Sequence, residues 1–181
     1  MNLPNKITLL RIVLIPAFLV VYLMQPFDAE VNTWLSLILF SVAAATDALD
    51  GYLARKLKLV SNFGKLMDPL ADKLLVAAAL VAFAAMGDLS VWVAIIIISR
   101  EFYISGLRQL ALEQNIVMAA DLLGKLKTIF QIVLIIYVLL PIEALVFAPV
   151  TVGLAIIAVI FTIWSAVDYT LKNKQLFSKG I

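Results

Sequence analysis

Six apolar stretches alternate with short segments that gather the charges, prolines and glycines of this chain. The stretches cover residues 7–24, 33–55, 66–86, 90–112, 122–140 and 147–170. Each is close to the ~20 residues that a helix needs to cross a bilayer. The connections QPFDAEVN, MGDLS and PIEALVFAP carry Pro, Gly or acid and read as loops. There is no low-complexity tract and no convincing internal repeat. The pattern predicts an all-α, polytopic membrane protein of six transmembrane helices, forming a single domain over residues 1–181. The first apolar run is divided by Arg11 and Pro16, and no small-x-small cleavage site follows it, so it reads as a retained helix rather than a secretory signal.

Composition strengthens this picture and narrows the chemistry. Hydrophobic residues make up 64% of the 181 positions, which is far above the soluble average, and the mean hydropathy is +1.08. The net charge of +2 is too small to suggest nucleic acid as a partner. The chain has no Cys and no His, so thiolate chemistry, disulfides and imidazole ligands are all excluded. Any reaction must use carboxylates, Lys, Arg, Tyr or hydroxyls, and oxygen-only ligands favour Mg²⁺, Mn²⁺ or Ca²⁺.

Charge then sets an orientation. All 14 Lys and Arg residues fall at the N-terminus, in the 55–73 connection, in the 100–127 region or in the C-terminal tail. Asp28, Glu30, Asp88 and Glu143 mark the other side. Six spans put both termini on one side, and the positive-inside rule makes that side cytoplasmic. Trp34 and Trp92, at the outer ends of their spans, read as interfacial belt residues, and Lys172, Lys174 and Lys179 as an anchor in contact with anionic membrane lipids.

Against this apolar background, residues 47–72 hold four aspartates. Asp47 and Asp50 are three apart, and Asp68 and Asp72 four apart, so each pair shares a helix face. At ~1.5 Å per residue from the outer ends of the spans, Asp47 and Asp72 each lie about 21 Å in, and Asp50 and Asp68 about 26 to 27 Å in. The same count puts Arg108 at about 27 Å and Lys125 at about 22 Å. An acidic and a basic cluster at one level predict a polar cavity open to the cytoplasm. Four carboxylates held close would repel one another unless cations compensate, and a pair of divalent ions is a known solution for displacement at phosphorus. A buried ion network with Arg55, Lys65 and Lys73 is the plainer reading, but four carboxylates at one depth exceed what local pairing needs. Gly51 permits close approach, and Arg55 can grip a phosphate as a bidentate fork.

The full pattern is Asp47-x-x-Asp50-Gly51-x-x-Ala54-Arg55, eight residues, then Gly64-x-x-x-Asp68-x-x-x-Asp72. It resembles at every fixed position the signature of the CDP-alcohol phosphatidyltransferases. The segments NLPNKITLLR, SREF and GKLKT are similar to those of the bacterial phosphatidylglycerophosphate synthases within that family. The resemblance implies a dimeric six-helix membrane fold that transfers a phosphatidyl group from CDP-diacylglycerol to an alcohol and releases CMP. It implies Asp47, Asp50, Asp68 and Asp72 as ligands of two Mg²⁺ or Mn²⁺ ions, with Asp72 also the catalytic base. It assigns contacts with the CDP part of the donor to Gly51, Arg55 and Ser61, and further ones to Asn5 and Thr8, which could instead cap the first helix.

For the acceptor, Arg108 and Lys125 are the first candidates to bind the phosphate of glycerol 3-phosphate, with Arg100 and Lys127 second. Arg100 sits nearest the midplane and needs an anion, either substrate phosphate or a carboxylate such as Glu101. The leading expectation is therefore transfer to glycerol 3-phosphate at the inner membrane. Serine, inositol phosphate or phosphatidylglycerol are alternative acceptors. An ion or proton transporter is the alternative of a different class, but the outer halves of the spans lack a polar path.

Overall fold

The computed structural model describes residues 3–57, 62–114, 122–142 and 144–174; within its helices, the side chains of residues 3–6, 47–57, 62–69, 72 and 144–147 lie outside the description. The described residues form six helices: α1 (Leu3–Met24), α2 (Ala29–Leu57), α3 (Asn62–Met86), α4 (Val91–Glu113), α5 (Leu122–Leu139) and α6 (Ala144–Lys172). Several helices start three or four residues before the apolar run that announced them. Hydrogen bonding continues through polar turns that add nothing to hydropathy.

The expectation of six spans is corrected. Among the described residues, four helical segments are long and apolar enough to cross a membrane: Ile7–Met24, Ala29–Thr46, Leu122–Leu139 and Ala148–Lys172. In α3 the described apolar stretch is only Lys73–Met86, about 21 Å of helix against a hydrocarbon core of roughly 30 Å. In α4, Arg100, Glu101 and Arg108 interrupt the apolar run, and three charges in so short a segment are costly in hydrocarbon. The shared-depth estimate treated α3 and α4 as full spans, so it no longer holds for them. The chain remains an integral, multi-pass membrane protein.

The distribution of side chains says the same from the packing. Along α6, Thr151, Ala155, Ala158, Thr162, Ser165 and Tyr169 are buried, while Val152, Ile156, Ile160, Ile163, Trp164, Val167 and Leu171 are exposed. The inward stripe recurs every three or four residues and is small or polar, whereas the outward face is large and apolar. A water-soluble helix buries its large apolar residues; a helix in lipid gains nothing by that and packs on small ones instead. Trp34 and Trp92 are exposed near the starts of α2 and α4.

Contacts within the chain fall into two compact groups, one of residues 1–88 with 138–142, the other of residues 89–137 with 143–181. In the first, α1 packs on α2 and α3, and α2 on α3. Ile15, Phe18 and Val21 of α1, Phe40 and Ala43 of α2, and Leu75, Ala79 and Phe83 of α3 are buried there. Phe18 stacks on Tyr22 at 5.7 Å and meets Phe40 at 5.9 Å, and Tyr22 meets the edge of Phe83 at 5.1 Å. In the second group α4 packs on α6, and Phe130 of α5 stacks on Phe161 of α6 at 4.7 Å.

The ends of the helices in the first group are tied with unusual care. Gly87 has φ +86°, and it closes α3 with Asp88 N–H donating to Phe83 O at 2.9 Å and Gly87 N–H to Ala84 O at 3.4 Å. This paired closure needs a left-handed residue. It sets Asp88 to accept the Tyr22 hydroxyl at 2.6 Å, joining α1 to the end of α3. Asn32, nearly buried, spans the turn before α2 by accepting from Phe27 N–H at 3.2 Å and donating to Phe27 O at 2.5 Å.

A Cβ at Gly87 would meet nothing within 4 Å, so Gly87→Ala carries only the backbone penalty of a left-handed residue, about 1 kcal/mol. We expect a lower melting temperature in detergent for Gly87→Ala. Gly153→Ala, inside α6 with equally open space around its Cβ among the described residues, should leave the melting temperature level or raise it.

Candidate active site

The sequence motif folds as one helical hairpin. Asp47, Asp50, Gly51 and Arg55 lie in the last part of α2, and Asp68 and Asp72 in the first part of α3, with residues 58–61 between. The two helices that flank these residues pack on each other. Asp50 is seven residues before Leu57 and Asp68 six after Asn62; Asp47 and Asp72 are each ten residues from those ends. Measured from Leu57 and Asn62, Asp50 and Asp68 are both about 10 Å along their helices and Asp47 and Asp72 both about 15 Å. This register does not depend on how many helices cross the membrane.

The side chains of Asp47, Asp50, Gly51, Arg55, Asp68 and Asp72 lie outside the described residues, as do that of Asn5 and the whole of Ser61. Among the described residues, no three acidic side chains gather as a metal would require. The donor set of the motif nonetheless suits a hard dication: four carboxylates, no nitrogen or sulfur, on two packed helices at matching distances from Leu57 and Asn62.

One neighbour of the motif escaped the sequence reading. Arg11 of α1 is fully buried, and its Nε donates to Thr46 Oγ1 at 3.3 Å, one residue before Asp47. Thr46 in turn donates to Ala43 O at 2.6 Å. Arg11 had served only as a mark that divides the first apolar run. Its spacing with the buried Thr8, Ile15 and Phe18 puts it on the inward stripe of α1, and that periodicity was the available signal. Because α1 begins at Leu3, Asn5 and Thr8 lie within its first turns rather than at its cap.

In the second group of helices the four expected cations are in different states. Lys127 is buried and bound to Glu101, which links α5 to α4. Arg100 reaches the same carboxylate at 3.5 Å, so at least part of its anion is Glu101, although its Nε is buried without a hydrogen-bond partner. Arg108 is exposed in α4 and donates from Nε to the Tyr169 hydroxyl of α6 at 3.0 Å. Lys125 is exposed. Two further bonds join or brace these elements: Tyr103 and Thr170 share a hydroxyl bond of 3.0 Å between α4 and α6, and Asn173 Nδ2 donates to Tyr169 O at 2.7 Å. Tyr169 was not among the residues singled out from the sequence.

Comparison with known proteins now fixes the class. The profile of the family described as CDP-alcohol phosphatidyltransferase matches residues 1–164. The chain belongs to the CDP-alcohol phosphatidyltransferase family. It is 46% identical over 185 residues to a CDP-diacylglycerol--glycerol-3-phosphate 3-phosphatidyltransferase of Bacillus subtilis, with 95% of each chain covered. It is 37% identical over 174 residues to a probable phosphatidylglycerophosphate synthase of Mycobacterium tuberculosis, covering 94% of this chain and 81% of that one. A CDP-diacylglycerol--glycerol-3-phosphate 3-phosphatidyltransferase of Rickettsia bellii is 37% identical over 130 residues, 72% of this chain and 70% of its own.

Removing one partner of a buried ion pair strands the other, at a cost of about 3 kcal/mol, whereas an exposed pair contributes about 0–1 kcal/mol. Glu101 keeps Arg100 at 3.5 Å when Lys127 is lost, so Lys127→Met should lower the detergent melting temperature measurably but by less than a fully stranded carboxylate would. Lys172→Met breaks the pair with Asp168 at 2.6 Å, where Lys172 is 57% exposed, and should scarcely change it.

Proposed function

We propose that this enzyme transfers the phosphatidyl group of CDP-diacylglycerol to glycerol 3-phosphate, giving phosphatidylglycerophosphate and CMP. The observation that carries the reading is the complete aspartate motif, at matching distances from the facing ends of α2 and α3, in a chain 46% identical along nearly its whole length to a protein named for that reaction. The acceptor hydroxyl oxygen forms a bond to the phosphorus that bears the lipid, and the bond from that phosphorus to the bridging oxygen breaks. The electron pair of that bond leaves with CMP.

Asp72 is the group that takes the acceptor's proton, and it needs one free carboxylate oxygen to do so. Asp47, Asp50 and Asp68, with Asp72, would hold two Mg²⁺ or Mn²⁺ ions, which when bound neutralise the donor pyrophosphate and the charge gathering on CMP. Gly51, Arg55 and Ser61 receive the CDP portion, with Asn5 and Thr8 as further contacts. Arg108 and Lys125 bind the acceptor's phosphate. Arg108 is the stronger candidate, since no carboxylate pairs with it among the described residues, whereas Lys127 is already bound to Glu101. A phosphorylated acceptor, rather than serine, is what unneutralised cations favour.

Family resemblance and charge distribution support the rest of the assignment: one catalytic domain over the whole chain, a homodimer, and insertion in the inner membrane with termini and aspartates on the cytoplasmic side. Four spans, an even number, keep both termini on one side. The direct test is purified protein in detergent with CDP-diacylglycerol, Mg²⁺ and a panel of alcohols, scored by CMP release. Activity is expected with glycerol 3-phosphate and not with serine, and chelation of the metal should abolish it. Asp72→Asn should remove turnover while leaving donor binding measurable; substantial retained activity would overturn the base role. Arg108→Ala should raise the KM for glycerol 3-phosphate and leave that for the donor in place.

A further inference from the structure

We infer that Tyr169 is a positioning residue for the acceptor: it fixes the guanidinium of Arg108 by its hydroxyl and ring while leaving that guanidinium's charge unspent. The inference rests on the assignment of Arg108 to the acceptor phosphate proposed above.

Tyr169 is well suited to fix another side chain. It is 5% exposed and packs with Ile104 and Leu107 of α4, the residues four and one before Arg108. Its own backbone carbonyl is held by Asn173 Nδ2. One residue on, Thr170 shares a hydroxyl bond with Tyr103 of α4. The ring is therefore clamped to the helix that carries Arg108, and it touches Arg108 in two ways at once. The hydroxyl accepts from Nε at 3.0 Å, and the guanidinium carbon lies 5.7 Å from the ring centroid, within range of the attraction between a cation and a π face. A long side chain with rotatable bonds is thus reduced to a restricted set of positions by one rigid neighbour.

The bond to Nε leaves both terminal nitrogens of Arg108, and these form the fork that grips a carboxylate or phosphate. Among the described residues no carboxylate meets them. The contrast with Lys127 on the same group of helices shows why the partner's chemistry matters. Glu101 orients Lys127 and also cancels its charge. A neutral phenol orients an arginine and cancels nothing, so an incoming dianion need not displace an internal competitor. Tyr169 thereby favours acceptors that carry a phosphate.

The test is a double-mutant cycle on the purified enzyme with glycerol 3-phosphate and CDP-diacylglycerol as substrates. Tyr169→Phe keeps the ring and removes the acceptor oxygen; it should raise the KM for glycerol 3-phosphate by about tenfold, the effect of losing one hydrogen bond to a charged group. The loss should fall on that KM more than on kcat or on the donor KM. Combined with Arg108→Ala, Tyr169→Phe should add nothing further, because its effect runs through Arg108. Equal additive losses in the double variant, or a loss in kcat alone, would overturn the positioning role and mark Tyr169 as a packing residue. An unchanged acceptor KM in Tyr169→Phe while Arg108→Ala raises it would overturn this inference but keep the acceptor assignment. An unchanged acceptor KM in Arg108→Ala would defeat the assignment itself, and this inference with it. Melting temperatures of the three variants identify any effect that comes from unfolding.

Discussion

A charge within a bilayer has no water to solvate it, and this one constraint organises the chain. Several ionisable groups buried or half-buried in the described helices have a specific partner on another element. Arg11 is bound to Thr46, Lys127 to Glu101, and Tyr22 to Asp88. The first two bonds join different helices, and the third joins α1 to the segment that closes α3. Groups that are expensive to bury thus become the ties that hold helices together, in a medium where apolar burial gives helices little reason to associate.

The same constraint explains how much of the fold could be read from residues alone. Hydropathy located all six helices, and the ends nearest the loops after α1 and α3 agree to the residue, because Gln25-Pro26 and Gly87 punctuate them. It overstated the number of spans, since a sliding apolar run does not weigh what three charges in α4 cost. Arg100, Glu101 and Arg108 had been noticed individually as chemistry, yet their combined effect on crossing was missed. The aspartate motif was legible because its spacing is local: three, four and a short turn. Mirrored positions about residues 58–61 follow from helix bounds, and those required only the pattern of apolar residues around them.

Partners that lie far apart in sequence were not legible in the same way. Arg11 and Thr46 are 35 residues apart, Arg108 and Tyr169 61 apart, and Tyr22 and Asp88 66 apart. A single sequence gives each of these residues a helix face but not the helix opposite. Glu101 illustrates the point from the other direction. It neighbours Arg100 in the chain, where adjacent residues diverge around a helix, yet the long guanidinium still reaches it at 3.5 Å while its stronger partner comes from α5.

Among the cations of α4 and α5, therefore, the number of positive charges matters less than how each is held. A lysine bound to a carboxylate serves as a tie, and its charge reaches a substrate only at the cost of that bond. An arginine held at Nε by a phenol keeps its full charge and its fork, and part of its motion is already restricted before a ligand arrives. Lys in the same place could keep the charge but not the geometry, because its single nitrogen would have to serve both the phenol and the phosphate. The division between structural and available cations is set by the side chain opposite each one, glutamate in one case and tyrosine in the other. Among the described residues one carboxylate, Glu101, meets two of these cations, Arg100 and Lys127, so most of the positive charge on α4 and α5 is left for a ligand.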